Sequence, residues 1–159
     1  IGAVYNQRSG SVSPTPPITM TSPASSGLPH RKIIRLPYNH STEGEYTPAN
    51  IISGAPKAMV NNLHSDPFSK RFHVGVWSST PGKWSFEQVD SEEFCILIEG
   101  RARLVGVDGA SETFKAGDTF VIPIGFKGTW ETLEPLKKFY AVMDRKKDDE
   151  QEIQLASKL

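Results

Sequence analysis

Two glycine-anchored stretches, Glu93-Phe-Cys-Ile-Leu-Ile-Glu-Gly100 and Gly117-Asp-Thr-Phe-Val-Ile-Pro-Ile-Gly125, decide the fold of this chain. Each is a short apolar run that ends at glycine or proline, a pattern typical of β-strands that stop at tight corners. Gly100 and Gly117 stand where a corner between strands requires a positive φ or a close approach of two backbones. Pro123 is predicted to end a strand, because proline has no N–H to donate to a neighbouring strand.

Outside these stretches the chain continues as short strand signals at roughly ten-residue spacing, with turn residues between them. Thr80-Pro81-Gly82 is one such turn, and Asp108-Gly109 is a strong hairpin signal. Many short strands in this pattern predict an all-β chain that folds as a β-sandwich or jelly-roll barrel. The predicted strands are His30–Leu36, Ala49–Ser53, Ala58–Asn61, Phe72–Ser78, Lys83–Val89, Phe94–Ile98, Arg101–Val107, Ala110–Phe114, Thr119–Ile122, Gly128–Glu131 and Phe139–Met143.

The two ends of the chain differ in composition from its middle. Residues 1–29 are rich in Ser, Pro, Gly and Thr, which predicts a flexible, disordered arm. Met20 is interpreted as the natural start, with residues 1–19 an added remnant; the alternative is a processed or truncated natural N-terminus. The barrel is predicted to span residues 30–145, and residues 146–159 form a charged C-terminal tail or a short surface helix.

Composition narrows the functional classes. The 18 Lys and Arg residues balance the 18 Asp and Glu residues, so no excess charge favours nucleic acid or an anionic membrane. Cys95 is the only cysteine, which excludes an intrachain disulfide and a multi-cysteine metal site. No apolar run reaches the length that a membrane-spanning helix needs. We therefore expect a cytoplasmic protein that binds neither nucleic acid nor a membrane.

The spacings Glu93-x6-Gly100 and Gly117-x5-Pro123-x-Gly125 resemble parts of the two cupin motifs, G-x5-H-x-H-x3,4-E-x6-G and G-x5-P-x-G-x2-H-x3-N. The resemblance implies a single cupin barrel, which is a jelly roll also called a double-stranded β-helix, with its motif core at residues 75–142. More narrowly, the chain resembles the cupin-3-like branch named for ureidoglycine aminohydrolase, through Gly75-Val-Trp77, Thr80-Pro-Gly82-Lys-Trp84, Glu92-Glu93-Phe-Cys95, Glu99-Gly100, Gly117-Asp118 and Pro123-Ile-Gly125-Phe-Lys-Gly-Thr-Trp130.

In metal-binding cupins, the resemblance implies, three histidines and one glutamate hold a divalent ion. Of these four ligands only Glu93 is kept here. The histidine pair falls on Phe86 and Gln88, or on Glu87 and Val89 in the shorter register, and the third histidine falls on Gly128. One carboxylate and one amide make a poor cage for a first-row metal. No cofactor is therefore expected; if manganese, iron, nickel or zinc binds, its ligands are Glu93 and Gln88.

Aromatic residues replace the missing ligands. Trp84, Phe86 and Gln88 share one face of a strand, and Trp130 points the same way as Gly128 because side chains alternate along a strand. Such rings, with a few polar groups, are typical of small-ligand pockets, although they also serve simply to fill a small barrel. The predicted ligand-binding residues are Trp77, Trp84, Phe86, Gln88, Glu93, Cys95, Trp130, Lys138 and Tyr140.

Glu93 has two interpretations. An inward carboxylate is costly to bury unless it is paired. It is therefore either a catalytic acid/base or ligand anchor, or a structural partner of a cation, for which Lys138 and Arg103 are the candidates. Cys95 shares its inward direction but has no nearby histidine, so it is interpreted as an inert core thiol.

Three functions remain open. The first is binding of a small organic molecule in a metal-free barrel. The second is an enzyme of the ureidoglycine aminohydrolase type, acting as a hydrolase, lyase or isomerase with Glu93 as acid/base or metal ligand. The third is a structural barrel with a filled interior. An open cavity around Glu93 favours the first two. The resemblance, together with exposed sheet edges over residues 30–70, also predicts a homodimer.

Overall fold

The computed structural model describes residues 30–37 and 43–146 of the chain. Within these residues all the regular secondary structure is β-strand. No helix in this part of the chain is long and apolar enough to cross a bilayer. The all-β prediction is confirmed. The strands are β1 Glu43–Tyr46, β2 Ile51–Gly54, β3 Ala58–Ser65, β4 Phe72–Ser79, β5 Gly82–Glu87, β6 Ser91–Gly106, β7 Ser111–Lys115, β8 Thr119–Ile122 and β9 Lys127–Asp144.

All nine strands lie in the unit that begins at Arg35, while residues 30–34 belong to a separate unit. Residues 30–37 form no strand, so the predicted edge strand His30–Leu36 is wrong. A strand needs a hydrogen-bonded neighbour as well as suitable residues, and none of the described strands pairs with this segment. The predicted arm over residues 1–29 and the tail over residues 147–159 lie outside the described residues.

The nine strands form one antiparallel sheet that curls into two halves. β6 and β9 run through both, because Lys127–Thr132 of β9 pairs with β5 and Leu136–Met143 pairs with β4. Likewise, Glu93–Ile96 of β6 pairs with β8 and Arg101–Val105 pairs with β7. The five-stranded half has the order β2-β5-β9-β6-β7, and the six-stranded half has the order β1-β3-β4-β9-β6-β8. This arrangement is the predicted jelly roll.

The bend between the halves lies where β6 passes β9. Gly100 has a φ of 78°, and a Cβ atom at this position would collide with the backbone of Pro135 and Leu136. The register between β6 and β9 also shifts between Leu97 and Ala102, as bulges do when they bend a strand. The sequence predicted two strands separated by Gly100; the structure instead has one strand that bends there.

The other boundary differences have related causes. The predicted strands Gly128–Glu131 and Phe139–Met143 are parts of the single strand β9, whose middle also passes the bend. Strand β1, which pairs with β3 over Glu43–Tyr46, was not predicted. The predicted strand Thr119–Ile122 is observed with those bounds as β8, and Pro123 follows it as expected.

The core lies between the two halves and is built from alternate residues of the long strands. On β6, Cys95 and Leu97 are buried at 0% and 1% exposure, whereas Phe94, which precedes them, and Ile96, which lies between them, are exposed. A fully buried side chain of this size contributes about 1.5–3 kcal/mol to folding, so the alternation fixes the register of the strand. The buried cluster comprises Trp84, Cys95, Leu97, Ala102, Leu104, Ile122, Trp130 and Leu136.

Candidate functional site

A cavity of about 520 Å³ lies inside the barrel and is lined by both halves of the sheet. Trp84 and Phe86 of β5 and Trp130 of β9 line it from the five-stranded half. Trp77 of β4 and Tyr140 of β9 line it from the six-stranded half. The other lining residues are Tyr46, Pro48, Ala49, Asn50, Val60, Ser85, Glu87, Gln88, Glu93, Ile122, Lys138 and Val142.

A buried lysine lies at the polar end of this cavity. Lys138 is only 5% exposed, and its Nζ donates to Glu93 Oε1 at 2.7 Å and to Cys95 Sγ at 3.4 Å. The same Nζ lies 5.0 Å from the ring centroid of Trp77 and 4.9 Å from that of Trp130. The ammonium is thus held by one carboxylate and by two aromatic faces, which attract cations through their quadrupoles.

These contacts keep Lys138 charged. Burial alone lowers the pKa of Lys138, but the Glu93 carboxylate, with Cys95, more than offsets burial and holds the pKa above its ordinary 10.5. Burial raises the pKa of Cys95 from 9.0 to about 12, although the Lys138 ammonium opposes this rise. A thiol with so high a pKa and no exposed surface is not a nucleophile. This agrees with the interpretation of Cys95 as a core residue.

The three tryptophans of the chain all line this cavity and contact one another. Their ring centroids lie 5.4–6.3 Å apart, within the range at which aromatic pairs stabilise each other. Two of the indole N–H groups already have partners: Trp77 donates to the Tyr46 hydroxyl at 2.8 Å and Trp130 donates to Thr132 Oγ1 at 2.9 Å. These bonds fix the Trp77 and Trp130 rings as walls of the cavity.

Gln88 is held in place by the loop between β8 and β9. Its backbone N–H donates to the Phe126 carbonyl at 2.8 Å, and its carbonyl accepts from Gly125 N–H at 2.7 Å. Its side-chain Nε2 donates to Ser91 Oγ at 2.8 Å. Gly125 has a φ of 85°, so the second motif glycine is required by the turn that fixes Gln88. The amide oxygen, bonded to none of the described residues, remains as an acceptor.

The structure brings eight of the nine predicted ligand-binding residues to this one cavity; the exception is Cys95, which is buried beside Lys138 and does not line it. Of the two cations proposed to pair with Glu93, the partner is Lys138, while Arg103 pairs with Glu131 at 2.6 Å. Binding itself stays a prediction. Sequence reasoning missed Tyr46, because it lies on β1, a strand that was not predicted.

The residues of the cavity do not fit a divalent metal ion. Glu93 is already paired with the Lys138 ammonium, which repels a second cation, and the Gln88 amide is bonded to Ser91. Within residues 30–37 and 43–146, no three His, Cys, Asp or Glu side chains are grouped so that they could hold a metal. The alternative ligand pair, Glu93 and Gln88, thus offers a metal only one carboxylate that is already paired with an ammonium and one neutral amide oxygen, which make a poor cage.

A second cavity of about 390 Å³ lies between β6, β7 and the loop after β8. Its walls are mostly apolar and include Leu104, Phe114, Phe120 and Phe126. The rings of Phe114 and Phe120 stack with centroids 4.0 Å apart. It contains no counterpart of the buried ion pair, so the first cavity is the candidate site.

The comparison with known families points to the cupin superfamily. Residues 67–140 match the family model described as the EutQ-like cupin domain, so this region is similar to a cupin domain. No curated protein is significantly similar to the chain, and the resemblance to the ureidoglycine aminohydrolase branch remains a prediction.

Solved structures support the same fold. A DUF861-family protein of unknown function from Pseudomonas syringae pv. tomato is 35% identical to this chain, with a TM-score of 0.57. The match covers 65% of this chain and 43% of that protein. The chain thus spans less than half of that protein. Clostridium difficile EutQ is 17% identical, with a TM-score of 0.50 over 56% of this chain and 69% of its own. The Schizosaccharomyces pombe Cnp3 cupin domain is 11% identical, with a TM-score of 0.51, and the match covers 60% of this chain and 70% of that domain. The last two show the fold alone.

Proposed function

We propose that this cupin domain binds a small organic molecule in the aromatic cavity, without a metal ion. The observation that carries the proposal is a cavity of about 520 Å³ with aromatic walls and a buried ion pair at one end. Ligand pockets generally combine concave apolar walls with a few fixed polar groups, and their volumes run from about 300 to about 1,000 Å³.

The polar groups define the chemistry of the ligand. The charges of Lys138 and Glu93 cancel at 2.7 Å, and the Trp77 and Trp130 faces already surround the ammonium. The cavity therefore offers no uncompensated charge to an ionic ligand. It offers acceptors, the second oxygen of Glu93 and the amide oxygen of Gln88, next to flat indole faces. We infer a ligand without net charge that has a flat ring and N–H or O–H donors.

Acid–base catalysis of the hydrolase, lyase or isomerase type is a second candidate, because Glu93 lines the cavity and is 16% exposed on its side chain. A ligand can therefore reach this carboxylate. However, Glu93 accepts a proton only by giving up its ion pair with Lys138, and a buried charge left without its partner is strongly destabilising. The pairing therefore supports binding over catalysis. The open volume likewise argues against a barrel whose interior is filled.

Intrinsic fluorescence tests the binding proposal, since every tryptophan of the chain lines the cavity. We expect a saturable change in tryptophan emission with some members of a panel of uncharged planar amides and phenols. Carboxylates and amines of the same size should bind at least about tenfold more weakly, because no free counter-charge awaits them. Gln88→Leu should weaken the binding of each ligand, since it removes an acceptor.

The matched control is Glu99→Gln, which changes a 59%-exposed carboxylate outside the cavity and should leave binding unchanged. Saturable binding of carboxylates or amines in preference to the uncharged compounds would contradict the inferred ligand class. A panel without a single binder, or binding that Gln88→Leu leaves intact, would contradict the proposed site.

A further inference from the structure

The second cavity, of about 390 Å³, lies beside the free edges of β7 and β8. Each of these strands pairs with β6 and with none of the other described strands, so each has one unpaired edge. Leu104 of β6 and the stacked rings of Phe114 and Phe120 give the cavity its apolar walls. Among the described residues, the two cavities share one lining residue, Ile122, so the second cavity is a separate compartment.

Phe126 forms part of the wall between the two cavities. It lines the second cavity, and its ring centroid lies 5.3 Å from that of Phe86, which lines the first. The ring lies against Gly128, where a Cβ atom would come within 2.9 Å of Phe126 Cζ. Since protein interiors are close-packed, a side chain at Gly128 would displace the ring of Phe126. The glycine therefore keeps this wall in place.

The rim of the second cavity carries an unpaired carboxylate. Glu112 of β7 lies beside Leu104 in the pairing register, so both side chains are on the inner face of the sheet. No described residue forms an ion pair or a hydrogen bond with the carboxylate of Glu112. Lys127, the one cation among the lining residues that the structure describes, already pairs with Glu87 at 3.1 Å. No cation of the cavity wall therefore neutralises Glu112.

A second carboxylate lies at the same end of the cavity. Asp108, in the turn between β6 and β7, folds over Gly106, where a Cβ atom would lie 2.6 Å from Asp108 Oδ1. The same oxygen accepts from the Ala110 N–H at 3.0 Å, which fixes the side chain in the turn. Gly106 lies two residues along β6 from the residue paired with Glu112, about 7 Å away on the same face. The two carboxylates therefore share one end of the rim.

We propose that the second cavity binds a small organic cation, an amine with an apolar body. Its ammonium lies between Glu112 and Asp108, and its body lies against the rings of Phe114 and Phe120. Carboxylates attract an ammonium and aromatic faces add to the attraction, whereas an anion of the same shape is repelled. The volume is at the lower end of the range for ligand pockets, about 300–1,000 Å³, which suits a single ring with a short chain. The site is independent of the ligand proposed for the first cavity, because Phe126 stands between the two.

Phenethylamine and phenethyl alcohol test the charge, because they have the same shape and only the amine is protonated near neutral pH. A titration of the full chain, followed by nitrogen–proton NMR, measures both the affinity and the position of each compound. Phenethylamine should shift the backbone amide signals of Gly106 and Ala110 saturably and bind about tenfold more tightly than the alcohol. The indole N–H signals should move little, since every tryptophan lines the first cavity. Phenylpropionate, the matching anion, should bind more weakly than either compound.

Glu112→Gln keeps the shape of the side chain but removes its charge, so the affinity for phenethylamine should fall about threefold to fivefold. The affinity for phenethyl alcohol should not change. Because Glu112 is exposed, the variant is expected to fold. The matched control is Glu92→Gln, which removes an exposed carboxylate that lines neither cavity and should leave both affinities unchanged.

Any of four results would overturn the proposal. The first is the absence of saturable amide shifts up to about 10 mM phenethylamine. The second is an alcohol or an anion that binds as tightly as the amine. The third is an equal loss of amine affinity in the Glu112→Gln and Glu92→Gln variants. The fourth is a shift of the indole signals without a shift at Gly106 and Ala110, which would place the amine in the first cavity.

Discussion

Lys137 and Lys138 are neighbours on β9, yet they make the same kind of contact in opposite surroundings. Lys137 points outward and pairs with Glu99 of β6 at 3.2 Å, where the two side chains are 21% and 59% exposed. Lys138 points inward and pairs with Glu93 of β6 at 2.7 Å, where the corresponding values are 6% and 16%. The alternation of a strand therefore gives the same ion pair two environments, one solvated and one enclosed by indole rings.

The two environments give the two ion pairs different effects on stability. A solvated pair gains little, because water and salt screen both charges. In an enclosed pair, the removal of either partner is costly, because the remaining charge is left buried without water or a counter-charge. The pair of Lys137 and Glu99 is a surface contact, whereas the pair of Lys138 and Glu93 fixes a carboxylate and an ammonium in the wall of the cavity.

The largest expected effect comes from removing each lysine in turn. Lys138→Met keeps the length of the side chain but leaves Glu93 unpaired, so it should lower the free energy of unfolding by about 3–5 kcal/mol. Lys137→Met should lower it by less than about 1 kcal/mol. Urea denaturation followed by circular dichroism measures both. Equal losses for the two variants would show that enclosure does not distinguish the pairs.

A smaller effect is expected in the coupling within each pair. In a double-mutant cycle of Lys138→Met with Glu93→Gln, the double variant should lose about 2–3 kcal/mol less unfolding free energy than the sum of the two single losses. The reason is that the double variant leaves no unpaired charge. The corresponding cycle of Lys137→Met with Glu99→Gln should give less than about 0.5 kcal/mol. Additive losses in the first cycle would mean that Lys138 stabilises the fold through Trp77 and Trp130 alone.

The smallest effect is the dependence of the enclosed pair on pH. The pKa of Lys138 lies above its ordinary 10.5 in the folded chain, so the folded state binds the proton more tightly than the unfolded state does. Its contribution is therefore complete below about pH 10 and is lost as the pH rises through the raised pKa. The difference in unfolding free energy between the wild type and Lys138→Met should be flat from about pH 7 to about pH 9 and then fall. A difference that grows with pH over that range would contradict the raised pKa.

The sequence was most informative where a local signal and the tertiary structure coincide. The spacing of Glu93 and Gly100 and the spacing of Gly117, Pro123 and Gly125 predicted the fold, because each of these glycines has a positive φ in the structure. Strand parity was enough to place Trp84 and Phe86 on the inner face. The cost of burying an unpaired carboxylate made Lys138 and Arg103 candidate partners of Glu93 before any distance was known.

The errors arose where tertiary structure overrides a local signal. Gly100 looked like the end of a strand, but β6 continues through it because β9 bends alongside at Pro135. The apolar residues of His30–Leu36 predicted a strand, but this segment pairs with none of the described strands. Whether the rings filled the barrel or lined a cavity was not decidable from the sequence, since that depends on how the two halves are spaced. The choice between Lys138 and Arg103 as the partner of Glu93 likewise needed the curvature of β9.

The central position of β9 bears on when the chain acquires its shape. This strand, Lys127–Asp144, pairs with β4, β5 and β6 and is the last to leave the ribosome among the described strands. Until it emerges, the edges of β4 and β5 and one edge of β6 have no neighbour, and pairings between such distant segments form slowly. The barrel therefore closes only once β9 has emerged, and until then the nascent domain exposes unpaired strand edges.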